Sequence, residues 1–123
     1  DKFAPTEEKI AAFASGYGSV LFFEDMTVVE SLQKRFPLYQ DRFPVWSQHA
    51  SAILQYVVWT ALEQAGFGAS LRHYNPIVDA PTNQTWNSPD RWQRVAQMPF
   101  GKPTAPPANK EFLPLADRVR VYK

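Results

Sequence analysis

The chain is 123 residues long, the size of one domain, and with 45% hydrophobic and 15% aromatic residues it can bury a core. Charged residues at 20% and a net charge of +1 exclude a disordered polyampholyte and argue against a large electrostatic footprint for nucleic acid or membrane. With no cysteine and two distant histidines, His49 and His73, there is no disulfide framework, thiolate metal site or Cys nucleophile, and no zinc site is expected.

No apolar run nears the roughly 18 residues of a membrane helix, and the opening residues do not read as a signal peptide. The cysteine-free composition is in keeping with a cytoplasmic location. The chain begins at Asp1 with residues that read as the lead-in to a helix, and so looks like the continuation of something longer.

Pro5-Thr6-Glu7-Glu8 predicts a helix start, with Thr6 as cap and acids suiting the dipole. Ile10, Ala11, Phe13 and Ala14 give the stripe, and Gly16-Tyr17-Gly18 ends it. Residues 19–23, SVLFF, form a continuous apolar run of strand length, the pattern of a strand covered on both faces. Glu24-Asp25 closes that strand and can begin the next helix, from Met26 to about Phe36, which Pro37 stops. Residues 36–45, FPLYQDRFPV, read as an aromatic-rich loop or short helix.

The longest predicted element covers residues 46–65. Trp46, Ala50, Ile53, Leu54, Val57, Ala61 and Leu62 recur at helical spacing, and Tyr56, Val58 and Trp59 make the helix apolar nearly all round. Such a helix is buried in a domain or a dimer interface. Gly66 is its natural C-cap. A strand over Ala69–His73 follows, then Asn75-Pro76 as a helix start. RWQRVAQMPFGKP reads as a strand marked by Trp92, Val95 and Gln97, broken late by Pro99. Residues 103–109, PTAPPAN, form a proline-rich linker, and Arg118-Val119-Arg120-Val121-Tyr122 an amphipathic edge strand or arm. The class is α+β with few strands, and a sheet of three would need others from before Asp1 or from a partner.

Several enzyme signatures are absent. Gly66 and Gly68 follow a helix and precede a strand, the reverse of the dinucleotide-binding order. There is no phosphate-binding loop, nucleophile elbow or paired carboxylate in an apolar setting, so no catalytic side chain is assigned. His49, near the apolar side of the long helix, reads as a hydrogen-bonded core or interface histidine. His73 and Tyr74 stand at a strand end, where α/β folds place ligands, but a strand end followed by Asn-Pro is also a routine turn.

The runs WSQHASAILQYVVWTALEQAGFGASLRHYNP, AQMPFGKP and FLPLADRVRVY closely resemble the nitroreductase-like family, specifically the small bacterial and fungal branch of FMN-dependent nitroreductases. The resemblance covers essentially the whole chain; Arg72 departs from the Gln expected there. It implies a nitroreductase-like fold, a mixed or antiparallel sheet flanked by helices, with the long helix at a homodimer interface. It also implies that the N-terminal part of the domain, which carries an Arg-rich segment for the FMN phosphate and a Ser/Asn segment for the flavin, precedes Asp1.

Carried onto these residues, the resemblance puts backbone groups around Leu71, Arg72, His73 and Tyr74 against the flavin N5 and carbonyl edge, and Arg118 on the FMN phosphate, with Lys110 or Arg120 as substitutes. Tyr39, Phe43 and Trp46 would cover the substrate side of the flavin. The implied activity is ping-pong: NAD(P)H gives a hydride to flavin N5, and a nitroaromatic, quinone or similar small aromatic acceptor takes the electrons. The alternative is a non-catalytic dimerising fragment, or a flavin- or ligand-binding regulator without competent FMN chemistry.

Overall fold

The computed structural model describes residues 3–123; the expectation that something precedes Asp1 lies outside them. The first helix, α1 (Ala4–Ala14), has Phe3 at its N-cap and no side-chain cap. Thr6 is already inside the first turn, its amide donating to the Phe3 carbonyl at 2.9 Å, so it does not cap as expected. Pro5 starts the helix instead, at a position where a missing amide costs nothing.

Strand β1 (Gly18–Asp25) runs into helix α2 (Met26–Arg35) through Asp25, as the acidic pair predicted. One Asp25 carboxylate oxygen accepts from the Thr27 amide at 2.9 Å and from the Thr27 hydroxyl. The Thr27 hydroxyl first, and then its amide, hold the Asp25 carboxyl below the ordinary value of 3.8. A carboxylate whose pKa is lowered by folding contributes stability above its unfolded pKa and loses it as pH falls through the folded value. An Asp25→Ala variant should therefore be less stable than the parent at neutral pH, and the gap in melting temperature should begin to narrow as pH drops below 3.8 and close as it passes through the lower folded value. A gap that persists unchanged in acid would assign the cap to something other than the ionised carboxyl.

A single 3-10 turn, Pro37–Tyr39, leads to the 22-residue helix α3 (Phe43–Gln64), about 33 Å long, with Pro44 in its first turn. The helix thus starts three residues before the expected Trp46, since the second Phe-Pro pair opens it rather than belonging to the loop. It ends in a Schellman motif: Gly66 at φ +85°, its amide on the Glu63 carbonyl at 2.9 Å and the Phe67 amide on the Leu62 carbonyl at 3.0 Å. Helix α4 (Asp79–Trp86) begins four residues after Asn75, not at Asn75-Pro76, which is a cis peptide in the preceding turn.

Strand β2 (Gly68–Ala69) and strand β3 (Trp92–Gly101) complete an antiparallel sheet of order β1-β3-β2. The strand expected over Ala69–His73 is nominally two residues long, but its register with β3 holds to Arg72: the Ser70 amide bonds the Pro99 carbonyl at 3.0 Å, and Arg72 and Gln97 exchange both backbone bonds at 2.8 and 3.0 Å. The interruption falls at Pro99, which has no amide to return to Ser70. Pro99 costs the ladder one bond, and β3 continues through it to Gly101.

Arg94, Ala96 and Met98 are buried, whereas Trp92 is exposed and stacks on Phe23, with ring centroids 5.7 Å apart. Register with β1 slips by one residue between Phe22 and Phe23, leaving Val95 as the extra residue of a bulge on β3. Phe22, Ala96 and Met98 form the core, covered by Val58, Trp59 and Leu62 of α3.

Only part of α3 is used that way. Its buried residues are Ser51 and Gln55, while Ile53, Leu54, Tyr56 and Val57 are all more than half exposed. His49 is exposed too and so is not a core histidine of this chain. β1 is likewise not covered on both faces, since only Phe22 of it is buried. Residues 103–123 are exposed and contain one 3-10 turn, Leu115–Asp117, so the tail is an arm and not an edge strand. Among the described residues no helix is long and apolar enough to cross a membrane.

Candidate functional site

Beyond Ala69 the chain runs along the outer edge of the sheet. Alternate residues of an antiparallel strand bond the same neighbour. Ser70 and Arg72 are engaged by β3, so the amides of Leu71 and His73 turn toward the open side, where no further strand lies among the described residues. Of the four residues expected to face a cofactor, Arg72 therefore has no backbone group to offer. Its side chain lies over the Phe13 ring of α1, 5.0 Å from the centroid, with Nε buried and unpaired. His73 is exposed and Tyr74 half-buried.

The polar run ends in a network that its spacing did not reveal. Arg94, with 2% of its side chain exposed, donates from Nε and NH2 to one carboxylate oxygen of Asp79, at 3.0 and 2.6 Å, and from NH1 to Gln97 Oε1 at 2.7 Å. Asn75 Nδ2 donates to the same Asp79 oxygen at 3.0 Å and to the Arg94 carbonyl at 2.8 Å. Both partners are acceptors, which fixes the orientation of the Asn75 amide. Its Oδ1 is then left buried without a donor.

The aromatic residues expected to cover a substrate do meet. Phe43 and Trp46 pack edge to face at 5.4 Å, and Tyr39 lies 6.2 Å from Trp46. Phe43 and Trp46 line a mostly apolar cleft of about 480 Å³ between α2 and α3, with Val28, Val29 and Leu32 opposite. At its floor the Ser47 hydroxyl donates to Glu24 Oε2 in a short hydrogen bond. Glu24 pairs with Gln93, next to Arg94, so the cleft and the Tyr74-Asn75 segment lie toward the same end of the sheet on opposite sides of β3.

The basic residues expected at a phosphate are not gathered there. Arg118, Lys110 and Arg120 are exposed on the arm, and the Arg118 amide closes the local turn on Leu115 at 3.0 Å. Sequence reasoning missed Arg94, Asp79 and Glu24. The one available signal was the phase of Arg94 with Ala96 and Met98, which puts a cation on a buried face that only an ion pair could satisfy. Among the described residues no group of acidic and histidine side chains could hold a metal.

No family model matches the chain. Individual proteins do. Nitroreductase FRM2 of Saccharomyces cerevisiae is 42% identical over 97 residues, 79% of this chain and 49% of that protein. HBN1 of the same yeast is 38% identical over 112 residues, 89% of this chain and 57% of that protein. The chain thus spans about half the length of the curated relatives it matches. Nitroreductase CinD of Lactococcus lactis, solved with 4-nitrophenol, superposes with a TM-score of 0.90 at 46% identity, over 98% of this chain and 64% of CinD. By sequence and fold together, the chain belongs to the nitroreductase-like family and carries a portion of its fold, helices around a small antiparallel sheet.

Proposed function

We propose that the protein is an FMN-dependent NAD(P)H oxidoreductase that reduces small aromatic acceptors such as nitroaromatics or quinones, working as a homodimer. The observation that carries this reading is the match to CinD, whose solved complexes hold 4-nitrophenol and chloramphenicol, over nearly the whole of this chain. The donor set fits the ring of the cofactor. Two amides, of Leu71 and His73, face an open edge, Tyr74 next in the chain is half-buried, and one further donor, Arg72 Nε, and one acceptor, Asn75 Oδ1, are buried without partners in the same segment.

FMN, when bound, supplies the two-electron carrier between NAD(P)H and acceptor. The chain's own part is to bind, orient and polarise. The Leu71 and His73 amides direct positive dipole at a ring that gains electron density on reduction, a preorganised form of stabilisation. Arg118 reaches the phosphate with a planar fork, or Lys110 or Arg120 does so in its place. Tyr39, Phe43 and Trp46 offer flat apolar surface for stacking, without a narrow shape filter. The outward apolar face of α3, Ile53, Leu54, Tyr56 and Val57, supplies the dimer contact.

A second reading, a non-catalytic dimerising module or ligand-binding regulator, is favoured by one observation: Lys110, Arg118 and Arg120 are all exposed on the arm. Titrating a protein of full family length that carries this chain with FMN, followed by its visible spectrum, separates the two. Saturable uptake, bleaching by NADH or NADPH, and a loss of FMN affinity of about tenfold in Arg118→Ala, the scale of one charged hydrogen bond, are the expected results. A protein of that length that takes up no FMN overturns the enzyme reading. Unchanged affinity in Arg118→Ala transfers the phosphate role to Lys110 or Arg120.

A further inference from the structure

We infer that Arg94, with Asp79 and Gln97, is a positioning residue for the His73-Tyr74 segment. The inference rests on the FMN reading above and adds residues to which that reading gives no role.

The geometry is a bracket. On one side of the pair, Arg72 is fixed to Gln97 by two backbone bonds at 2.8 and 3.0 Å. On the other, Asn75 is fixed to Arg94 by its side-chain amide, at 2.8 Å to the carbonyl, and to Asp79 at 3.0 Å. Only His73 and Tyr74 lie between these anchors. The anchors are themselves joined, because the Arg94 guanidinium bonds Gln97 Oε1 at 2.7 Å and Asp79 at 2.6 Å. A span of two residues with both ends pinned to one strand has few conformations left, which is what a group aimed at a cofactor requires.

Burying a guanidinium is costly unless every donor is met. Here all three donor nitrogens of Arg94 are met, two of them by Asp79, whose carboxylate is one-third exposed and thus accessible to substitution without opening the core.

Asp79→Asn tests the bracket, since it preserves shape while removing the charge that gathers Arg94 and Asn75. Val20→Ala, which trims a half-buried residue of β1 packed on the core, is the control for general destabilisation. The first measurement is hydrogen–deuterium exchange of the chain without FMN. Faster exchange confined to residues 71–78 in Asp79→Asn, and not in Val20→Ala, is expected. The second is FMN affinity in the oxidised and the reduced state. Asp79→Asn should bind FMN on the order of tenfold more weakly, the scale on which removing an outer support acts, with a changed ratio of oxidised to reduced affinity; Val20→Ala should leave that ratio alone. Unchanged exchange at residues 71–78 overturns the bracket. Faster exchange with an unchanged affinity ratio overturns its role toward the cofactor. A parent protein of full family length that takes up no FMN overturns that role together with the enzyme reading, while the exchange data still decide the bracket.

Discussion

Truncating Met98 to alanine is expected to cost about 3 kcal/mol of folding free energy, the middle of the range for emptying a buried Met or Leu site. Met98 is the large side chain with no exposure at all among the described residues, and it sits between Phe22 of β1, Ala96 of its own strand and the α3 side chains that cover them. Few other residues share that load: among the described residues, only Phe22, Val29, Ala96 and Pro99 are buried alongside it as apolar groups. With so thin a core, the loss is a large part of the roughly 5–15 kcal/mol that domains possess. Met98→Leu, which nearly preserves volume, should cost less than about 1.5 kcal/mol. Urea unfolding of the two variants is the check. Equal small losses would mean that the site collapses around the cavity and that the sheet is held from elsewhere.

Replacing Arg94 by leucine is expected to be nearly as damaging, for a different reason. The variant leaves Asp79 without its cation and Asn75 with a weaker anchor, and breaking one side of a buried pair costs about 3–5 kcal/mol. One-third of the Asp79 side chain reaches water, so it recovers some hydration and the loss should fall at the lower end, about 3 kcal/mol. The double variant Arg94→Leu, Asp79→Leu should recover part of that loss, since no lone charge remains. Denaturant midpoints for the four-member cycle give the coupling, expected at about 1–3 kcal/mol for groups in direct contact. Additive effects would show that the ion pair contributes nothing beyond its two residues' separate packing.

How far the elements could be foreseen depended on the range of the interaction that makes them. Asp25 as a helix cap and Gly66 as a helix end depend on partners within five residues, and both read correctly from the chain. The grouping of Tyr39, Phe43 and Trp46 came from the family resemblance, and their rings do meet across one turn and the start of a helix. The inward face of β3 did not follow from the chain, because its buried set, Arg94, Ala96 and Met98, includes a charged side chain. Nor did the course of the edge segment: Pro99 looked like a stop, yet the only bond it removes is its own, and the register continues on either side of it.

By itself, then, the sequence determined the family, the α+β order of elements, the Asp25 and Gly66 helix boundaries and the residue types at the open edge, because motif identity and short-range hydrogen bonding lie within a few residues. Tertiary structure alone decided that Arg94 meets Asp79 and Gln97, that Asn75 is tied back to β3, and that the Leu71 and His73 amides rather than those of Arg72 face outward. Those outcomes depend on the register between segments some 15 to 25 residues apart, and a one-residue slip, invisible in the chain, reverses which groups face in and which face out.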